Sequence, residues 1–191
     1  MYVGYMYTSG EVHGTGPNSD IKVIVDAWYN NNLNNYASYI ATGGGASFCN
    51  DRQPSTDYKS INGNGGIGTK ETYYAAYVRL VPNKTPTYKC SDSGDKFSIL
   101  VGLITADEIS YAGGVIAQNN SNYYLYTKQE YLSLSPYFFS VGGDIFSVNS
   151  SGSLSSFRLD NSGSVRPVIN LKSDVSFSSG NGTSSNPYVV S

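Results

Sequence analysis

The chain has 191 residues, long enough for one full core, with 39% hydrophobic and only 14% charged residues and a formal net charge of −2. Ser, Asn, Gly and 18 Tyr take the place of the missing charges, a composition associated with the polar, uncharged surfaces of exported bacterial proteins. No Lys or Arg stripe and no long apolar run is present, which argues against nucleic acid and anionic membrane as partners and against direct membrane insertion.

In chain order, residues 2–8 alternate as a first strand, and Gly14, Gly16 and Pro17 mark a turn. The opening MYVGYMYTSG lacks a basic n-region and an apolar core, so a signal peptide is not expected there. Ser19 is placed to cap a helix running to about residue 29, with Ile21, Ile24, Val25 and Trp28 on one face and Trp28 as a core anchor. A short second helical piece follows with Leu33, Tyr36, Tyr39 and Ile40. Residues 42–70 are rich in Gly, Asn and Ser and read as ordered but irregular, with Asp51 and Arg52 anchoring loop backbone.

The run TYYAAYVRLV at 72–81 carries the aromatic and β-branched residues of a strand, ended by Pro82 and Pro86. Asp92 and Asp95 flank an Asx-type turn without the EF-hand pattern. The most complete local signal is VGLITADEISYAGG at 101–114. Thr105 and Glu108 form a capping box, Ile104 and Ile109 a hydrophobic staple, and Gly113-Gly114 a stop, which predicts a helix over 105–112. Beyond it, 123–127 (YYLYT), 131–136, 144–149, 153–159 and 164–171 read as strands, and the turns at 150–152 and 161–163 join the last three into an antiparallel meander. Pro167 marks an edge or bulge, and 180–191 is a turn followed by a terminal extended segment.

The two cysteines, Cys49 and Cys90, fit neither a metal set nor a C-x-x-C motif. In an exported protein they are expected to pair, closing a loop of about 42 residues; two separate buried thiols are the alternative.

Together these elements predict an α+β fold with two helices, at about 19–40 and 105–112, an antiparallel sheet and long irregular loops. The stretch at 101–114 resembles the R-L-P-T-E-x-E-W-E-x-A-x-x-G segment of the formylglycine-generating-enzyme (sulfatase-modifying-factor) branch of the C-type-lectin-like fold. Thr105, Glu108 and Ala112 stand on its Thr, second Glu and Ala, with Gly114 standing for its closing Gly. SVRPV at 164–168 resembles the closing strand of such domains, with Arg166 on its Arg. More of the chain resembles bacterial surface-protein domains of the Bacillota type, through FCNDR at 48–52, VGLITADE at 101–108, LSP at 134–136, VRPVINL at 165–171 and GNGTSSNPYVV at 180–190. The resemblance implies a single C-type-lectin-like domain over 1–191, cut from a longer extracellular protein, with 180–191 joining modules.

No catalytic constellation is visible. His13 stands alone, no G-x-S-x-G elbow, zinc set or phosphate loop occurs, and both cysteines precede the capped helix, unlike the late reactive pair of the formylglycine-generating enzymes. No enzyme activity, metal or cofactor is therefore expected. The expected function is adhesion or ligand binding at a cell surface, with a glycan or protein of a host or neighbouring cell as partner. Tyr supplies broad contact area, and Asn and Ser supply adaptable hydrogen bonds. The candidate contacts are Asn119, Asn122, Tyr123, Tyr124, Tyr137, Phe138, Phe139, Ser156 and Arg158. Two alternatives stand beside it: a self-associating subunit or tip of a pilus-like assembly, and a hypervariable phage-type receptor-binding protein.

Overall fold

A computed structural model describes residues 19–43, 46–49, 51, 53–55, 71–90, 96–139, 142–183 and 185–191. The expected first strand, the turn at 14–17, His13, Arg52 and the Asp92/Asp95 turn lie outside these residues. The fold is α+β. Its elements are α1 (Asp20–Asn32), a 3-10 turn (Asn34–Tyr39), β1 (Phe48–Cys49), β2 (Thr72–Tyr73), α2 (Ala75–Leu80), β3 (Lys96–Phe97), α3 (Ala106–Ala112), β4 (Tyr131–Phe139), β5 (Gly143–Val148), β6 (Leu154–Arg158), β7 (Phe177–Ser179) and β8 (Val189–Val190). The centre is an antiparallel sheet of order β2-β4-β5-β6.

Adjacent strand residues point to opposite faces, and here both faces are apolar. Leu132, Leu134 and Ile145 join Ile21, Val25 and Tyr29 of α1 in one core. Tyr131, Phe146 and Val148 join Ala76 and Leu80 of α2 and Ala106 and Ile109 of α3 in the other. The sheet is thus a middle layer, with α1 on one side and the α2–α3 pair on the other. Ser133 and Ser135 are fully buried on β4, and the Ser135 hydroxyl accepts the Ala106 amide at the start of α3.

The capped helix forms as its sequence dictates. Thr105 accepts the Glu108 amide, Glu108 accepts the Thr105 amide, and Gly113 ends the helix at φ 119°. The β5–β6 hairpin closes through Asn149, whose side chain accepts from the Ser151 and Ser153 amides.

Five expectations change. Residues 72–81 are not one strand: only Thr72 and Tyr73 pair with β4, and Ala75–Leu80 form a third helix. Residues 123–127 are a turn, not a strand; Tyr126 donates its amide to Tyr123 and the Tyr123 ring turns inward. Residues 164–171 run extended but make only isolated bridges, Gly102 with Val168 and Ile40 with Leu171, because Pro167 has no amide to donate and Arg166 crosses to the Leu125 carbonyl. Trp28 and Ile24 are exposed, at 39% and 56%; the buried stripe of α1 is Ile21, Val25 and Tyr29. The aromatics 137–139, left outside the strand at 131–136, extend β4 to Phe139.

Candidate functional site

The nine residues expected at a contact surface do not converge. Phe138 pairs with Asp144, and Asp144 with Arg158, at one end of the β4–β5–β6 hairpins. Asn119, Asn122, Tyr123 and Tyr124 lie in a loop fastened to the β5–β6 turn at the other end, where the Asn120 amide donates to the Ser151 carbonyl. Asp144 and Val148 mark the two ends, roughly 13 Å apart along β5.

Burial divides them further. Tyr123 is buried, with its hydroxyl donating to the Gly152 carbonyl, and Phe139 is buried on β4. Burial holds the Tyr123 phenol well above its ordinary pKa, so it stays protonated and keeps that bond. Tyr137 meets Phe146 edge-on at 4.8 Å and Tyr77 at 5.0 Å, while Phe138 lies 4.4 Å from Tyr73; these rings staple α2 to the sheet. Asn119, Asn122, Ser156 and Arg158 are exposed, and Tyr124 is 82% exposed. Arg158 reaches Asp160 at 3.0 Å and Asp144 at 3.8 Å.

The structure brings a different set together. A cleft of about 620 Å³ opens between β1, β3, the loop at 86–90, the start of α3 and the extended residues 168–170. Its floor is a charge clamp. Arg79 grips Asp107 with two parallel hydrogen bonds, Nε to Oδ1 at 3.0 Å and Nη2 to Oδ2 at 2.7 Å, and Nη2 also reaches Asp51 Oδ1 at 2.7 Å. The two carboxylate side chains are only 5% and 2% exposed. The α2 helix aims the guanidinium: Ala76 and Leu80, one turn apart, face the core, and Arg79 emerges beside them. Asp51 has φ 54°, a left-handed conformation that Asp tolerates better than most residues.

Burial raises the Asp51 carboxyl to about 6; attraction to Arg79 opposes that rise, repulsion from Asp107 adds to it, and a hydrogen bond from Ser135 opposes it. Burial weakens the Arg79 cation, but the bonds to Asp107 and the charge of Asp51 outweigh that and hold its proton more firmly than usual.

The clamp reaches the cleft's mouth through the loop. The Thr87 amide donates to Asp107 Oδ1 at 2.9 Å, the Lys89 amide to Thr87 Oγ1 at 3.1 Å, and the Tyr111 hydroxyl to the Pro86 carbonyl at 2.7 Å. Cys90 is bonded to Cys49 with Cα atoms 5.1 Å apart, the pairing expected from the sequence. Pinned at these points, the loop presents Tyr88, 68% exposed, stacked on Tyr111 at 4.0 Å. Lys89 follows it, and Lys96 lies across from Cys49. Phe48 on the cleft wall packs where a Cβ on Gly102 would come within 2.6 Å, so only Gly fits there.

Protein-family models, curated proteins and solved structures contain no match to this chain. What the cleft does is therefore read from its own chemistry. Among the described residues no group of three or more His, Cys, Asp or Glu is placed to hold a metal, and no helix is long and apolar enough to cross a membrane. The Asp51–Arg79–Asp107 set went unseen in the sequence because each ion pair joins residues 28 apart with no motif between them. The one available hint was a lone Arg in an otherwise apolar run.

Proposed function

We propose that this chain is a non-catalytic ligand-binding or adhesion module of an extracellular, cell-surface protein, and that the cleft beside Cys49–Cys90 is its ligand site. The observation that carries the reading is the loop at 86–90: its backbone is tied at Pro86, Thr87, Lys89 and Cys90 while Tyr88 and Lys89 are left exposed. A loop already fixed in one shape loses little entropy when a ligand docks, and an exposed Tyr adds contact area with few rotors to freeze. The intramolecular disulfide favours an oxidising, extracellular compartment. The resemblance to surface-protein domains and to the C-type-lectin-like fold points the same way, and the partner would be a glycan or protein of a host or neighbouring cell.

The test is a glycan and surface-protein array probed with wild type and Tyr88→Ala. Wild type is expected to bind a ligand that the variant loses at unchanged melting temperature. A Tyr88→Ala chain that binds as wild type does, or a wild type that binds nothing, sinks the reading.

A second reading, a self-associating subunit of a surface assembly, is favoured by the exposed Val23, Ile24 and Trp28 on α1 with Tyr36 beyond them. Sedimentation equilibrium on wild type and Ile24→Asp separates it from a monomeric binder.

A further inference from the structure

The charges of the cleft are unevenly committed. Each of its carboxylates is engaged by the protein: Asp51 and Asp107 by Arg79, and Glu108 by the Thr105 amide and hydroxyl. Its two ammonium groups are not. Lys89 and Lys96 are exposed and have no ion pair among the described residues. They bracket the disulfide, Lys96 opposite Cys49 in the β1–β3 ladder and Lys89 next to Cys90. Ladder spacing and the 5.1 Å Cα separation of the cysteines bring the two lysine Cα atoms within about 14 Å, so both side chains can reach one ligand. Beside them the same cleft offers a flat aromatic face, Tyr88, held in place by Tyr111. It also offers side-chain donors and acceptors on Ser47 and Asn170.

The geometry points to an acidic saccharide as the ligand of this cleft: Lys89 and Lys96 meet its carboxylate or sulfate, the Tyr88 ring lies on the apolar face of a pyranose, and Ser47 and Asn170 take its hydroxyls. A purely apolar ligand would leave the two ammonium groups and the amide of Asn170 unmatched. A neutral sugar would offer neither cation a counter-charge, and an acidic peptide without flat side chains would give Tyr88 nothing to stack on. The inference rests on the cleft being the ligand site, and it adds the ligand's chemistry.

The test is calorimetric titration of the whole, disulfide-bonded chain. The probes are a galacturonic acid trimer, sialyllactose, a heparin-derived hexasaccharide, the neutral galactose trimer and poly-L-glutamate. At least one acidic sugar is expected to bind at least about tenfold more tightly than the galactose trimer and than poly-L-glutamate, and to weaken as salt is raised. Lys89→Ala with Lys96→Ala should cost that ligand about tenfold or more, and Lys89→Arg with Lys96→Arg should restore most of it. Both lysines are exposed, so the melting temperature should not move.

Equal binding of the neutral and acidic sugars, with loss in Tyr88→Ala, overturns the acidic class and leaves the binding module standing. Preference for poly-L-glutamate replaces the saccharide with an acidic peptide. Failure of all three acidic sugars overturns the inference; only an array that also lacks any Tyr88-dependent ligand overturns the module as well.

Discussion

Two Tyr-bearing loops of this molecule are held by opposite means. The loop at 119–128 adds its own aromatic side chains to the bonds that Asn120 makes with Ser151 and Gly113. The Tyr123 hydroxyl donates to Gly152, Tyr126 to Ser150, and Tyr131, just beyond the loop, to Leu125, which also accepts from Arg166. The loop at 86–90 is fastened by backbone amides and carbonyls, a disulfide and a buried carboxylate. In the first, the tyrosines serve as tethers and only Tyr124 remains largely outside. In the second, the tethers come from elsewhere and Tyr88 is left for display. Tyr content alone therefore does not mark a contact surface; what matters is which atoms supply the restraint.

The largest expected effect breaks the second loop's anchor. Arg79→Met keeps the bulk of the stem but leaves Asp51 and Asp107 buried without their cation, and should cost about 3–5 kcal/mol in urea unfolding. A loss under about 1 kcal/mol would mean that the clamp contributes little.

The same clamp should show in the pH dependence. The Asp51 carboxyl is raised from 3.8 to about 6, so between those values the folded chain binds a proton that the unfolded chain does not. Its contribution to stability is fullest below the unfolded value and is lost as pH rises through the folded one, an interval worth up to about 3 kcal/mol. Melting curves of wild type and Asp51→Asn should therefore diverge in favour of wild type as pH falls from 7 to 4, an outcome a flat difference would refute.

The smallest effect sharpens the other side. Tyr123→Phe removes one hydroxyl from the loop at 119–128 and leaves the Gly152 carbonyl without it, costing about 1 kcal/mol in the same unfolding assay. Tyr88→Phe, whose hydroxyl tethers nothing among the described residues, should change stability by less than about 0.5 kcal/mol.

What could be read from the sequence follows the range of the interactions. The α3 helix was legible because its cap, staple and glycine stop lie within ten or so residues of one another, each with a known partner spacing. The β5–β6 hairpin was legible from the turn expected at 150–152, which announces itself by Ser and Gly, whereas the reach of β4 to Phe139 was not. Residues 75–80 misled because Tyr and Val favour strands locally, while burial of Ala76 and Leu80 together and the capture of Arg79 by two distant aspartates favour a helix. Residues 123–127 misled in the same way, since what turns them is the hydroxyl bond from Tyr123 across to the hairpin. The disulfide was legible by elimination of other uses, but the cleft that it borders required the fold.

A sheet with a core on each face has one more consequence. Ile145 and Phe146 are neighbours, yet each belongs to a different core, so a shift of β5 by a single residue would send Phe146 toward α1 and Ile145 toward α2 and α3. Both sides would be mispacked at once. The β4–β5 register, which shifts between Pro136 and Phe138, is therefore a shared precondition of both cores.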